Sequence, residues 1–120
     1  MDIHGIMQKI RTHPDSHRMG MIASHMGIVR GDSRDGRKVT GIEVAYDLDV
    51  VDNIIKDIKE LPGIYEVIVD LKEGLLEVGE EILFVGVGGD IRENVFPALI
   101  KAVDRIKKEA SRKIETYEKG

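Results

Sequence analysis

The sequence predicts an α+β domain of mostly antiparallel strands, with two main helices and a short N-terminal helix. Two patterns and one size argument carry this. Residues 47–61 hold an apolar stripe at helical spacing, formed by Leu48, Val51, Ile54, Ile55, Ile58 and Leu61. Several runs of six to eleven residues read as strands, either alternating or continuously apolar. At 120 residues with 42 % hydrophobic content, the chain suits one domain, taken as residues 1–120, with a core of its own.

Taken in order, Ile3, Ile6, Met7 and Ile10 give residues 3–12 a helical period, which His13-Pro14-Asp15-Ser16 breaks. Residues 19–29 are apolar with interspersed glycine and read as a strand. Residues 31–38 form a polar loop in which Asp35-Gly36 is a hairpin signal. Residues 39–46 are the expected return strand, with Ile42, Val44 and Tyr46 on one face. Asp47 or Asp49 can cap the next helix, because a short carboxylate accepts the free N–H groups of a first turn. Pro62-Gly63 ends that helix. Residues 64–71 alternate as a strand, 75–80 form a short strand and turn, and 82–87 are short and apolar enough for a buried strand. A long helix is expected from about Asn94 to about Tyr117, burying Leu99, Ile100, Val103, Ile106, Ala110 and Ile114. Pro97 costs little only in a first turn, so Asn94 is the preferred cap; a start at Asp90 is the rival. The strands are expected to be mostly hairpin-connected.

Composition narrows the function. The net charge is −4, which argues against general nucleic-acid binding, since phosphate contacts need a basic face. There is no cysteine, hence no disulfide, thiolate metal site or thiol nucleophile. Any sulfur chemistry requires sulfur supplied from outside. No apolar run reaches the length of a membrane span and the N-terminus lacks a signal-peptide core, so a cytoplasmic location is expected. The aromatic content is only 4 %, so the core must be aliphatic.

Three groups of residues could carry chemistry. In residues 85–92, Val-Gly-Val-Gly-Gly-Asp-Ile-Arg, an apolar strand leads to a helix start. A turn at Gly88 and Gly89 would expose backbone N–H groups able to hold an anion, and Arg92 adds a planar cationic fork. The other reading is a tight strand-to-helix turn with a surface arginine, because glycine at a turn answers a conformational need first. Neither a dinucleotide fingerprint nor a P-loop is present: Ile91 stands where the first needs glycine, and no Gly-Lys-Ser/Thr follows. Arg30, Arg34, Arg37 and Lys38 cluster with Asp32 and Asp35 as either an anion-binding lid or an ordinary solvated loop. Lys107 borders the apolar face of the last helix. A desolvated lysine there would suit acid, base or nucleophilic work, while a lysine snorkelling at a core margin is the commoner case. A straight helix would hold Arg92 and Lys107 ~22 Å apart. His13, His17 and His25 lack a completing carboxylate set, so no metal site is expected, and no cofactor is implied.

The run Glu73-Gly74-Leu75-Leu76-Glu77-Val78-Gly79-Glu80-Glu81-Ile82-Leu83-Phe84-Val85-Gly86-Val87 resembles the molybdopterin synthase large-subunit family, with its Gly-Glu-Leu-type strand, Gly-Asp/Glu turn and following Val-Gly-Val strand. His25-Met26-Gly27-Ile28-Val29-Arg30 is similar to that family's Thr-Gly-x-Val-Arg. The resemblance covers about residues 19–114 and implies an alpha/beta-hammerhead-like fold. It implies a sulfurtransferase acting in molybdenum cofactor biosynthesis. The sulfur donor would be the thiocarboxylated C-terminal Gly-Gly of a small ubiquitin-like carrier subunit, and the acceptor a cyclic pyranopterin monophosphate. The implied assembly is a homodimer within a heterotetramer, with a pocket spanning two large subunits. By the same resemblance Arg30, Arg92, Arg34 and Arg37, with Gly88 and Gly89, would bind substrate. Lys107 and a second lysine would act in catalysis; that second lysine falls at Ile114 without a gap and at Lys113 with a one-residue shift. The family's His-Arg pair reads Ile91-Arg92 here, and the chain ends at Gly120, short of the family's longer tail. A non-catalytic paralogue that binds a partner or pterin, or an unrelated phosphate- or nucleotide-binding module, are the alternatives.

Overall fold

The computed structural model describes residues 2–119. The elements are α1 (Ile3–Arg11), a 3-10 turn (Ser16–Arg18), β1 (Met21–Ile28), β2 (Val39–Tyr46), α2 (Leu48–Lys59), β3 (Ile64–Leu71), β4 (Gly74–Glu77), β5 (Glu81–Gly89), α3 (Arg92–Arg105), a π turn (Ile106–Ala110) and β6 (Ser111–Tyr117). This is an α+β fold. No helix among the described residues is long and apolar enough to cross a membrane.

The strands form two three-stranded antiparallel sheets, ordered β1-β5-β3 and β4-β2-β6. Strands adjacent in sequence therefore do not pair, contrary to the expected hairpins. β1 and the return strand β2 lie in different sheets, and only an isolated Asp32–Lys38 bridge crosses the loop between them. The Asp35-Gly36 signal is real as a local turn, with Gly36 at φ +86°. It reverses the chain from one sheet into the other.

The first sheet is covered on both faces, and β5 shows why. Its Leu83, Val85 and Val87 face α2 and α3, where they meet Val51, Ile54, Ile58, Val95, Ala98, Ala102 and Ile106 in the main core. Its Phe84 faces the other way, packing with Ile6 and Ile10 of α1. A strand buried on both faces reads as a continuous apolar run. α2 begins where Asp47 accepts hydrogen bonds from the N–H groups of Asp49 (3.1 Å) and Val50 (3.2 Å), so Asp47 is its cap. The second sheet buries Val39, Ile42, Val44 and Leu76, together with Val29.

The C-terminal region departs most from expectation. The long helix stops at Arg105, loosens into the π turn, and Ser111 to Tyr117 becomes a strand paired with β2. Ile100 and Ile114 are not buried; they are 61 % and 67 % exposed. Val95, Ala98, Ala102 and Val103 form the buried stripe of α3 instead. The helix also starts earlier than Asn94, at Arg92, so Pro97 lies inside it rather than in a first turn. Its ring stays on the exposed side. Ile91 is the cap residue and offers no side-chain hydrogen bond.

Candidate functional site

A cleft of about 700 Å³ opens between the second sheet, the polar loop after β1 and the π turn after α3. Its sheet wall follows from period-two alternation. Ile42, Val44 and Tyr46 of β2 lie opposite Glu115, Lys113 and Ser111 of β6, all on one face. Lys113 therefore reaches the cleft, and Ile114, one residue on, points to the opposite side. Tyr46 is half-buried; burial and the nearby Glu73 carboxylate push its hydroxyl up to about 12, so it stays protonated.

The loop wall is tied into shape by its own hydrogen bonds. Arg30 donates to the Asp32 carbonyl through Nε (3.1 Å) and an Nη (2.9 Å). The Ser33 hydroxyl donates to Asp35, and the Arg37 N–H donates to Ser33 Oγ (3.0 Å). These donors, Ser33 first and the Arg37 N–H next, hold the Asp35 carboxyl below its ordinary range. Arg37 itself lies over the Tyr117 ring, 3.6 Å from the centroid, which fastens the loop to β6.

Charges in the cleft are unequal in their freedom. Asp32 is bridged to Lys38 at 3.3 Å, Asp35 is held as above, and Glu115 accepts from the Tyr117 hydroxyl at 3.0 Å. Arg34, Lys107 and Lys113 have no ion-pair partner among the described residues. The carboxylates are engaged locally and Arg30 is held by a backbone carbonyl, while Arg34, Lys107 and Lys113 line the same concavity with no counter-ion among the described residues. Such a cleft suits an anion. Lys107 is exposed at the rim rather than desolvated in the core margin.

The glycine stretch has another purpose than the expected turn. Gly88 and Gly89 are buried residues inside β5, paired with Ile22 and Met21. A Cβ on Gly88 would come 2.7 Å from Ile10 Cγ2 and 2.8 Å from Met19 Sδ. Gly88 lets α1 and the segment before β1 approach the sheet, and Gly89, where a Cβ would come 2.5 Å from the Gly63 carbonyl and 2.6 Å from Val95 Cγ2, lets the turn before β3 and the start of α3 close on it; the two do not form an N–H-lined loop. At the start of α3 the Asp90 carboxylate already accepts from the Ile91 N–H (2.6 Å) and Asn94 Nδ2 (2.9 Å). Arg92 lies at this end of α3, exposed and paired with Glu93 at 3.2 Å. Lys107 follows the other end of the same helix. One chain thus gathers Arg30, Arg34, Lys107 and Lys113 around the cleft, sets Arg37 behind its loop wall, and leaves Arg92, Gly88 and Gly89 outside.

The model of a protein family, described as MoaE protein, matches residues 1–109. The chain belongs to the MoaE family. Solved structures of similar fold include molybdopterin synthase from Staphylococcus aureus, with 23 % identity, 86 % of this chain and 78 % of that one covered, and a TM-score of 0.73. Molybdopterin cofactor biosynthesis protein E from Burkholderia multivorans is 22 % identical, over 98 % of this chain and 82 % of that one, with a TM-score of 0.77. A complex of subunits 1 and 2 of the molybdopterin-converting factor from Helicobacter pylori contains a chain 14 % identical, over 98 % and 80 %, with a TM-score of 0.72. At these identities the likeness is one of fold. No curated protein matches the chain by sequence.

Two positions that the resemblance singled out can be placed within this MoaE fold. Lys113, not Ile114, is the lysine of β6 that faces the cleft. Ile91 is 51 % exposed beside Arg92 and away from the cleft. Sequence reasoning missed Tyr46, Ser111 and Tyr117 as cleft residues. For the last two, the alternation Ser111, Lys113, Glu115, Tyr117 was the available signal, concealed by the helical reading.

Proposed function

We propose that the chain is the large subunit of a molybdopterin synthase. It would move sulfur from the thiocarboxylated C-terminus of a small ubiquitin-like partner to a cyclic pyranopterin monophosphate, in molybdenum cofactor biosynthesis. The observation that carries this reading is the set of unpaired cations, Lys107, Lys113 and Arg34, around one cleft in a MoaE-family chain. Both reactants are anionic, one a thiocarboxylate and one a phosphate ester. The thiocarboxylate sulfur first bonds to a pterin carbon in place of a C–O bond, whose oxygen leaves; water then attacks the resulting thioester, an ammonium group beside the acyl carbon stabilises the oxyanion that develops, and its collapse leaves a carboxylate on the partner and the sulfur on the pterin. Lys107, at the rim where a tail could enter, is assigned that role; Lys113 and Arg34 are assigned to the phosphate, with Arg30 shaping the loop that carries Arg34. The absence of cysteine accords with sulfur arriving on a partner. The complex of two subunits known for the Helicobacter pylori protein supports a small partner here. Arg92 and Arg37 would contribute to substrate binding only through a second copy of the chain or the loop, respectively. A homodimer within a heterotetramer supplies the first.

Mixing the chain with thiocarboxylated partner and the cyclic pyranopterin should give the dithiolene product. The second reading, a family member that binds without turnover, draws on Ile91, which cannot donate or accept a proton where the family has histidine. It predicts a stable complex with the partner and no product. The unrelated nucleotide-binding module is set aside, because Gly86 to Gly89 is strand and the chain belongs to the family.

A further inference from the structure

His25 has no role yet assigned to it, and no group of three or more His, Cys, Asp or Glu able to hold a metal occurs among the described residues. Its surroundings point elsewhere. Ala23, His25 and Gly27 share the face of β1 turned toward α3, with Ala23 packed in the main core. His25 Nε2 is shut off from solvent and has no hydrogen-bond partner among the described residues. Buried side-chain nitrogen without a partner is uncommon and calls for an explanation. Gly27 lines the cleft and lies beside the ring without a side chain to screen it: a Cβ there would lie 3.5 Å from Nε2 and 3.1 Å from Ile82 Cγ2. Lys107 lines the same cleft from the π turn.

We propose that His25 is a positioning residue for Lys107: its Nε2, buried under Gly27, accepts a hydrogen bond from the Lys107 ammonium when the cleft is occupied, and so fixes that ammonium against the reacting acyl group. This rests on the synthase reading for its consequence in turnover, though not for the pairing itself. Burial first, and the charge of Lys107 second, lower the pKa of the ring from its ordinary value, so it is neutral and able to accept at neutral pH. On the strand beside β1, on the helix over this face of it and on the π turn that continues that helix, the other charged groups are Glu81 on β5, opposite Ile28; Arg92, Glu93, Lys101, Asp104 and Arg105 on α3; and Lys108 and Glu109. Lys107 is the one that acts on the ring. Protonation of His25 would place a like charge beside Lys107 and remove the acceptor.

Two measurements test this. First, the His25 ring is titrated by NMR in wild type and in Lys107→Met, with His25→Gln giving the assignment among the four histidines. The pairing predicts a higher ring pKa in Lys107→Met; an unchanged value overturns it. Second, the reconstituted synthase is assayed with His25→Leu, which keeps bulk but lacks an acceptor, and His25→Gln, which keeps an acceptor. The expected result is a kcat at least tenfold lower in His25→Leu with KM for the pterin little changed. His25→Gln should recover most of the rate and lose the acid limb of the wild-type pH profile. Equal rates in all three proteins, or equal losses in both variants with folding intact by thermal melt, overturn the role. If wild type makes no product, the synthase reading fails separately, and the ring titration still decides the pairing.

Discussion

Lys113 and Ile114 are neighbours in sequence and lie on opposite faces of β6, the lysine on the cleft opposite Val44 and the isoleucine out in solvent. If the cleft binds anionic substrate, its affinity should follow this division. Lys113→Ala should reduce kcat/KM roughly 10- to 100-fold, the range expected for losing a charge-assisted hydrogen bond of about 1.5–3 kcal/mol. Ile114→Ala should stay within about twofold. Steady-state kinetics on both variants checks the register.

Arg37 over Tyr117 joins the loop to the last strand. A cation–π contact at an exposed site contributes about 0.5–1 kcal/mol. Tyr117→Leu and Arg37→Ala should each destabilise the fold by about that amount, and the double variant should cost less than the sum. Urea unfolding of the four proteins in a double-mutant cycle measures the coupling. Additive effects would detach the loop from β6.

The β5 glycines separate packing from anion binding. Gly88→Ala forces a methyl group into Ile10 and Met19. Overpacking of this kind costs about 1–3 kcal/mol. The variant should melt earlier while its substrate KM is unchanged. A raised KM with normal stability would restore an anion role for Gly88.

Stability should also report the buried histidine. The folded-state pKa of His25 is lowered below its ordinary value of 6.5. Below 6.5 the unfolded chain therefore binds more protons than the folded one, and stability rises with pH through that window. Stability is lost as pH falls from 6.5 through the folded pKa. His25→Gln should flatten this part of the curve, as followed by melting temperature against pH. An identical slope in both proteins would remove the burial effect.

Much of the fold was legible because strong local signals agree with the final packing. The stripe Val51, Ile54, Ile58 became the buried face of α2, Asp47 its cap, and residues 64–71 a strand with the expected bounds. The pairing of strands was not legible, because alternation tells which face is apolar and not which neighbour lies alongside. The segment after Ile106 misled for a related reason. Ile114 falls at helical spacing from Ala110 and Ile106, and the mixed charges between them suit a solvated helix equally well. The partnership with β2, a contact distant in sequence, decides for strand, as tertiary pairing often does over local propensity. The cleft followed the same pattern. Arg30, Arg34 and Lys107 were identifiable by residue type, whereas Tyr46, Ser111 and Tyr117 become cleft residues only once β2 and β6 are side by side. The glycines were legible as necessary, but their reasons are long-range: the approach of α1 at Gly88, and that of the Gly63 carbonyl and Val95 at Gly89.

The central claim is that Lys107 is the ammonium group that serves sulfur transfer. The most direct measurement is single-turnover conversion of cyclic pyranopterin monophosphate to dithiolene product, with thiocarboxylated partner in excess, comparing wild type with Lys107→Ala after both are shown to fold and to bind the partner. Wild type should give product, and the rate should fall by about two orders of magnitude or more in Lys107→Ala, as for the loss of one oxyanion-stabilising donor. Equal rates in the two proteins would contradict it.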